Sequence, residues 1–218
     1  MASAKKTVIT DAKIVELYMD HVLENGEVPT SVYKFCKENK LKEEEFYAHF
    51  GSFDTIQQSI WSRFFESTQT LLKKNEQYES MTNEERMLTF FFTFFENLTL
   101  NRSYVLFALK EHKSSFEGLA QLKGLRKDFK DFATELIRER NEEKNLKILK
   151  YNEPLFSEGA WLQLLFLLKF WMEDGSPGFE KTDIAIEKSV TTIFQIFENT
   201  SLEKIIDFGK FLYKEKFV

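Results

Sequence analysis

The sequence predicts an all-α protein of about ten helices, and three observations carry that expectation. Among 218 residues there are only 8 glycines and 3 prolines, too few for the tight turns that sheets of this size require. Apolar residues recur at helical spacing, as in Ile14, Leu17, Tyr18 and Val22, with His21 on the same face. Helix start and stop signals divide the chain, and no stretch reads as a strand.

The first helix is expected from Asp11 to about Asn25, capped by Thr10 or Asp11 and stopped by Gly26, which accepts the left-handed conformation that ends helices. "EVPTS" extends the chain, and Thr30 or Ser31 caps a short helix to about Glu38. After "ENKL" a second short helix covers Lys42 to Phe50, so that three helices with a tight turn between the last two fit a helix-turn-helix unit. Tyr47 and Phe50 have the spacing of its inner face, and Cys36 that of a small packing residue. Ser52 caps a long helix, Phe53 to about Asn75. "TNEE", Thr82 to Glu85, has the hydroxyl and glutamate of a capping box and opens "RMLTFFFTFFENL". Helices follow from Asn101 to about Lys113 and from Phe116 or Leu122 to Arg140. Pro154 precedes "SEGAWLQLLFLLKFWMED", which is apolar nearly all round and so must be covered on several sides. "DGSPGFEK" is the clearest loop, and helices from Thr182 to Glu198 and from Leu202 to Lys214 complete the chain. The expected domains are residues 1–52 and 53–218.

Composition narrows the function classes. One cysteine excludes an intramolecular disulfide and a clustered-thiolate metal site, and fits a reducing cytoplasm. "MASAKKTVIT" has no apolar core behind its lysines and is not a secretory signal. The longest greasy run, Trp161 to Met172, contains Gln163 and Lys169 and is too short to span a bilayer. His21, His49 and His112 are scattered, and none has the Glu-x-x-His spacing of a di-iron bundle. No Gly-rich phosphate loop or nucleophile elbow occurs, so neither an enzyme nor a cofactor is expected.

From Ile14 to Ile60 the sequence resembles the TetR family of transcriptional regulators. The matching parts are Gly26, "PTSVYKFCKENKL", and the ending "FYAHFGS", in which Phe46, Tyr47, His49, Phe50, Gly51 and Ser52 follow the family pattern. "WMEDGSPGFEKTDIAIEKSV" also looks like a C-terminal domain found in a TetR-like subgroup. The resemblance implies a homodimer, two heads that enter successive major grooves of palindromic duplex DNA, and a ligand pocket in each body. It places DNA contacts at Ser31, Lys34, Lys42, Tyr47 and His49.

Three departures bear on those contacts. The family's Ala-Gly turn is Asn39-Lys40 here, and Asn39 tolerates a left-handed backbone. Glu43, Glu44 and Glu45 stand where the family has small or hydroxyl residues, and Phe53 replaces a phosphate-touching lysine. The first 56 residues hold seven lysines against ten carboxylates, a net charge of −3. Three consecutive carboxylates fan through about 200° of a helix, so one must face the duplex. A like-charge contact at about 4 Å costs ~1 kcal/mol in water and several at intermediate dielectric.

Two readings therefore stand: a TetR-like regulator with weakened or atypical DNA contact, and a lipid-binding protein of the same fold that has lost DNA binding. For either, Phe91, Phe94, Phe95, Phe107, Trp161 and Leu165 are the candidate lining of a pocket for an apolar small molecule. Ile184, Ile186, Val190, Ile193, Phe194 and Phe197, with the helix containing Trp161, are the candidate dimer interface.

Overall fold

A computed structural model describes residues 9–111, 120–143 and 153–199. Among them the chain forms helices only: α1 (Asp11–Asn25), α2 (Val32–Glu38), α3 (Glu43–Tyr47), α4 (Phe53–Lys73), α5 (Asn83–Leu100), α6 (Arg102–Glu111), α7 (Lys123–Glu143), α8 (Glu153–Glu173) and α9 (Glu180–Asn199). Short 3-10 turns lie at Tyr78–Ser80 and Pro177–Phe179. The all-α expectation holds. The helix expected from Leu202 to Lys214 and a start at Phe116 lie outside the described residues. Pro154 is not ahead of α8 but in its first turn, where its missing N–H costs nothing.

One compact unit takes residues 1–67 and 97–125. Thr10 Oγ1 accepts from the Lys13 amide at 3.2 Å to start α1, and Gly26, at φ 69°, ends it by donating to the Val22 carbonyl. Ile14, Tyr18 and Val22 are wholly buried at helical spacing. Against them lies a cluster of rings: Phe35 of α2 meets Phe46 of α3 edge-on at 6.1 Å. Phe53, at the start of α4, stands 5.5 Å from Phe35, 5.6 Å from Phe46 and 5.7 Å from Tyr18. Each such ring pair contributes about 0.5–1.5 kcal/mol beyond area burial. The Tyr18 hydroxyl accepts from Gln57 Nε2 at 2.9 Å, so the polar tip of this core is satisfied. Deeper in the unit, Gln121 accepts from the Trp61 indole at 2.9 Å and donates to the Ala108 carbonyl at 2.8 Å, joining α4 to α6.

The turn between α2 and α3 differs in detail from expectation. Asn39 keeps a near-helical backbone at φ −92° and donates its side-chain amide to the Phe35 carbonyl at 2.8 Å. The left-handed residue is Lys40, at φ 57°. Leu41 N–H then closes on the Cys36 carbonyl at 2.8 Å, the six-to-one bond of a Schellman ending. Lysine thus occupies the place that favours glycine, at a cost of about 1–2 kcal/mol.

The second unit takes residues 68–96 and 126–218. The capping box forms as expected: Glu85 accepts from the Thr82 amide at 2.8 Å, and the Glu85 amide donates to Thr82 Oγ1 at 3.3 Å. Arg86 of α5 donates to the Tyr78 and Glu79 carbonyls and to Glu139 of α7. Burial beside it pushes the Tyr78 hydroxyl up to about 12. Phe90 stacks on Phe132 at 4.8 Å and meets Phe129 at 5.2 Å, tying α5 to α7. Phe156 of α8 meets Phe194 of α9 edge-on at 5.6 Å, and Gln163 donates to Ser189 at 2.9 Å beside them.

Asp174 organises the α8–α9 connection. One carboxylate oxygen accepts from the Ser176 amide and hydroxyl, the other from the Thr182 amide and hydroxyl. The Ser176 hydroxyl bond and these backbone donors hold its carboxyl well below the usual carboxylate range, against the effect of burial.

Two outcomes follow from these geometries. Lys40→Gly should raise stability by about 1 kcal/mol, read as a higher urea midpoint with an unchanged slope, because the left-handed penalty outweighs glycine's greater unfolded freedom. For Asp174 the depressed folded value means its contribution is present above pH ~4 and lost as pH falls through that range. Asp174→Asn should therefore melt below wild type at pH 7, with the gap narrowing below pH ~4. A gap independent of pH would show that the charge contributes nothing.

Candidate nucleic-acid interface

α2 and α3 pack on each other, and their outward residues form the surface on which the expected DNA contacts fall. Ser31 caps α2, its Oγ accepting from the Lys34 amide at 3.2 Å. That use leaves the hydroxyl hydrogen available to donate outward. Lys34 is exposed, as are Tyr33 and Tyr47, the latter at 54%. The inner positions of the α3 region are Phe46 and Phe50, which are buried, so Tyr47 is not a core residue as its spacing suggested. The helical step of four from 46 to 50 carries the core, and residue 47 rotates out with its whole ring.

The acidic triplet resolves into three different environments. Glu45 turns back to accept from the Lys42 backbone amide at 2.9 Å, capping α3. Glu44 accepts from Lys42 Nζ at 3.1 Å, and this hydrogen bond raises the lysine's proton affinity. Glu43 is exposed. Lys42, expected as a phosphate contact, is thus neutralised by its own helix, and two of the three carboxylates are partly satisfied. Phe53 belongs to the ring cluster, which gives a packing reason for an aromatic residue at that position.

His49, two residues past α3, is engaged elsewhere than expected. Its Nε2 lies 3.0 Å from the Ile9 carbonyl oxygen. A carbonyl only accepts, so this nitrogen carries the proton, and the ring offers a second donor to phosphate only when cationic. The residues beside Ile9 are fixed too: Asp11 accepts from Arg63 at 2.7 Å. The Ala12 backbone amide, more than Arg63, holds the Asp11 carboxyl below its ordinary value. A groove of about 500 Å³ opens beside α1 and α2, lined by Asp20, Glu24, Glu27 and Glu38 among others. Its acidic wall does not suit an apolar ligand or a phosphate.

The candidate apolar lining is divided. Phe91, Phe94, Phe95 and Trp161 are buried in the second unit, where Phe91 meets Phe129 at 5.7 Å and Phe95 meets Trp171 at 6.2 Å. Leu165 there and Phe107 in the first unit are partly exposed.

The candidate pairing residues also divide. Ile186, Val190 and Phe194 are buried inside the chain itself, Ile193 is partly exposed, and Ile184 is 49% exposed. Phe197 lies in the last turn of α9, its side chain outside the described residues. The sequence reading did not single out Leu162 and Phe166 of α8, exposed at 64% and 54%, or Ile196 of α9. A helix apolar all round gives no periodic signal of which face is left uncovered. Among the described residues no cluster of His, Cys, Asp and Glu could hold a metal ion, and no helix is long and apolar enough to cross a membrane.

Residues 86–212 match the family described as the tetracyclin repressor-like C-terminal domain. Comparison with curated proteins gives no match.

Proposed function

Because the chain belongs to the tetracyclin repressor-like family, we propose that it is a homodimeric transcriptional regulator whose α2–α3 helix-turn-helix contacts palindromic duplex DNA and whose body responds to an apolar small molecule. In this reading residues 1–52 face DNA, and 53–218 bind the effector and pair the subunits. The observation that carries it is the engagement of two of the three α3 carboxylates within the head. Glu45 is held by a backbone amide and Glu44 by Lys42, which leaves Glu43 as the exposed carboxylate and a net charge of −2 over residues 42–45, one lysine against three glutamates. Ser31 and Tyr47 remain exposed as phosphate donors, with Lys34 beside them. Binding is expected to be weak for the family, because few cationic contacts release counterions.

Selection from a random-sequence duplex library tests the reading. The wild type should enrich a palindrome, and Glu43→Ser should bind it several-fold more tightly, since one like-charge approach is worth about 1 kcal/mol. The second reading, a lipid-binding protein without DNA contact, draws on Phe53, which fills with packing the place of the family's phosphate lysine. It predicts no enriched sequence, together with a higher melting temperature in the presence of a long-chain fatty acid or an isoprenoid.

Pairing is assigned to Leu162 and Phe166 of α8 with Ile184 and Ile196 of α9, apolar side chains left exposed on the two helices that pack together in the second unit. Covering such residues favours association by about 25 cal/mol per Å². Leu162→Glu with Phe166→Glu should sediment as a monomer at micromolar concentration while keeping wild-type helicity. A monomeric wild type would end the pairing assignment.

A further inference from the structure

The DNA-contacting head is short of cations at α3, because Lys42 is tied to Glu44 at 3.1 Å. His49 stands at the other end of that helix. Its backbone amide donates to the Phe46 carbonyl at 3.0 Å, so its ring leaves from the last turn, just past exposed Tyr47. The residue is exposed, yet one of its ring nitrogens is already engaged. Nε2 donates to the Ile9 carbonyl at 3.0 Å. That carbonyl is held by its neighbours: Thr10 caps α1, and Asp11 pairs with Arg63 of α4 at 2.7 Å. In the neutral ring Nδ1 is then only an acceptor. A phosphodiester oxygen also only accepts, so the two cannot hydrogen-bond. Protonation at Nδ1 reverses this, giving a charged donor while Nε2 stays on Ile9.

We infer that His49 is a proton-gated phosphate contact: the head takes up a proton at Nδ1 when it binds duplex DNA, and its affinity falls as pH rises. The inference rests on the DNA-binding reading. A neighbouring phosphate favours the cationic ring in the complex alone, so proton uptake and DNA binding are linked. The sign follows from that preference. The contact is fully present at acid pH and is lost as pH rises through the range, about 5 to 8, in which histidine changes charge. The charged groups around the ring are Asp11 of α1, the Arg63 of α4 that pairs with it, and Glu45 on its own segment, which is engaged by the Lys42 amide. The Ala12 amide, ahead of Arg63 and of a charge on His49, holds the Asp11 carboxyl low, so Asp11 stays anionic throughout that range. Phosphate carries no base identity, so pH alters affinity and leaves sequence preference alone.

The test is a binding titration of the full-length protein, from pH 6 to pH 8, on the duplex that the wild type selects from the random library. Wild-type affinity should fall about 10-fold for each bound subunit across that range, the size of one charge-assisted hydrogen bond. The slope of log K against log salt should be steeper at pH 6 than at pH 8 by ~0.9 per contact. Calorimetry at pH 7.5 in buffers of different ionisation heat should show proton uptake on binding. His49→Gln, whose amide can still donate to Ile9 but takes no proton, should melt with wild type and bind equally across the range. His21→Gln, altered in the groove beside α1 and α2, should keep the wild-type profile. Wild-type binding without proton uptake overturns the gate and leaves the regulator reading intact. A pH profile that persists in His49→Gln, or disappears in His21→Gln, puts the proton elsewhere and overturns the gate as well. A wild type that binds no duplex at any pH overturns both.

Discussion

The contact between Phe35, Phe46, Phe53 and Tyr18 is the constraint on which the head depends. α2 has seven residues and α3 five, lengths at which an isolated helix is not stable in water. Neither persists by propensity, and the rings that each buries set their mutual orientation. Phe53 closes the cluster from the first turn of α4, so an aromatic ring stands where the family resemblance implies a lysine, and it secures α2 and α3. Stability and charge at this position are in direct competition, and packing has prevailed.

Several charges of the head are answered locally. Lys42 answers Glu44, a backbone amide answers Glu45, Lys13 answers Glu16 and Arg63 answers Asp11. Most of these partners are exposed, so each pair adds little stability. Their larger effect is to keep opposite charges close together, so that a net charge of −3 produces a weaker outward field than three free carboxylates would.

Much of this was legible in the sequence where a single residue type has a local reason to be present. Thr10, Gly26, Ser31 and the Thr82–Glu85 box all act at the ends the sequence assigns them, because caps depend on backbone groups within four residues. The helical fold was readable through periodicity, and the family through its resemblance, which the match over residues 86–212 supports in the C-terminal body. The failures needed three dimensions. Lys40 rather than Asn39 takes the left-handed place because Asn39's amide is drawn to the Phe35 carbonyl. His49 finds a carbonyl 40 positions away, and no local pattern encodes that. Half of the candidate pairing residues in α9 are already used inside their own chain, while Leu162 and Phe166 stand out. Hydrophobicity alone does not distinguish a core from an unpartnered face.

The placement of the three tryptophans has a practical consequence. Trp61 is fully buried in the first compact unit, with its indole N–H bonded to Gln121, whereas Trp161 and Trp171 are buried in the second. The chain therefore carries intrinsic optical reporters for each unit. With the latter two changed to phenylalanine, emission from the remaining indole follows the unit that bears α1 to α3 without any attached label.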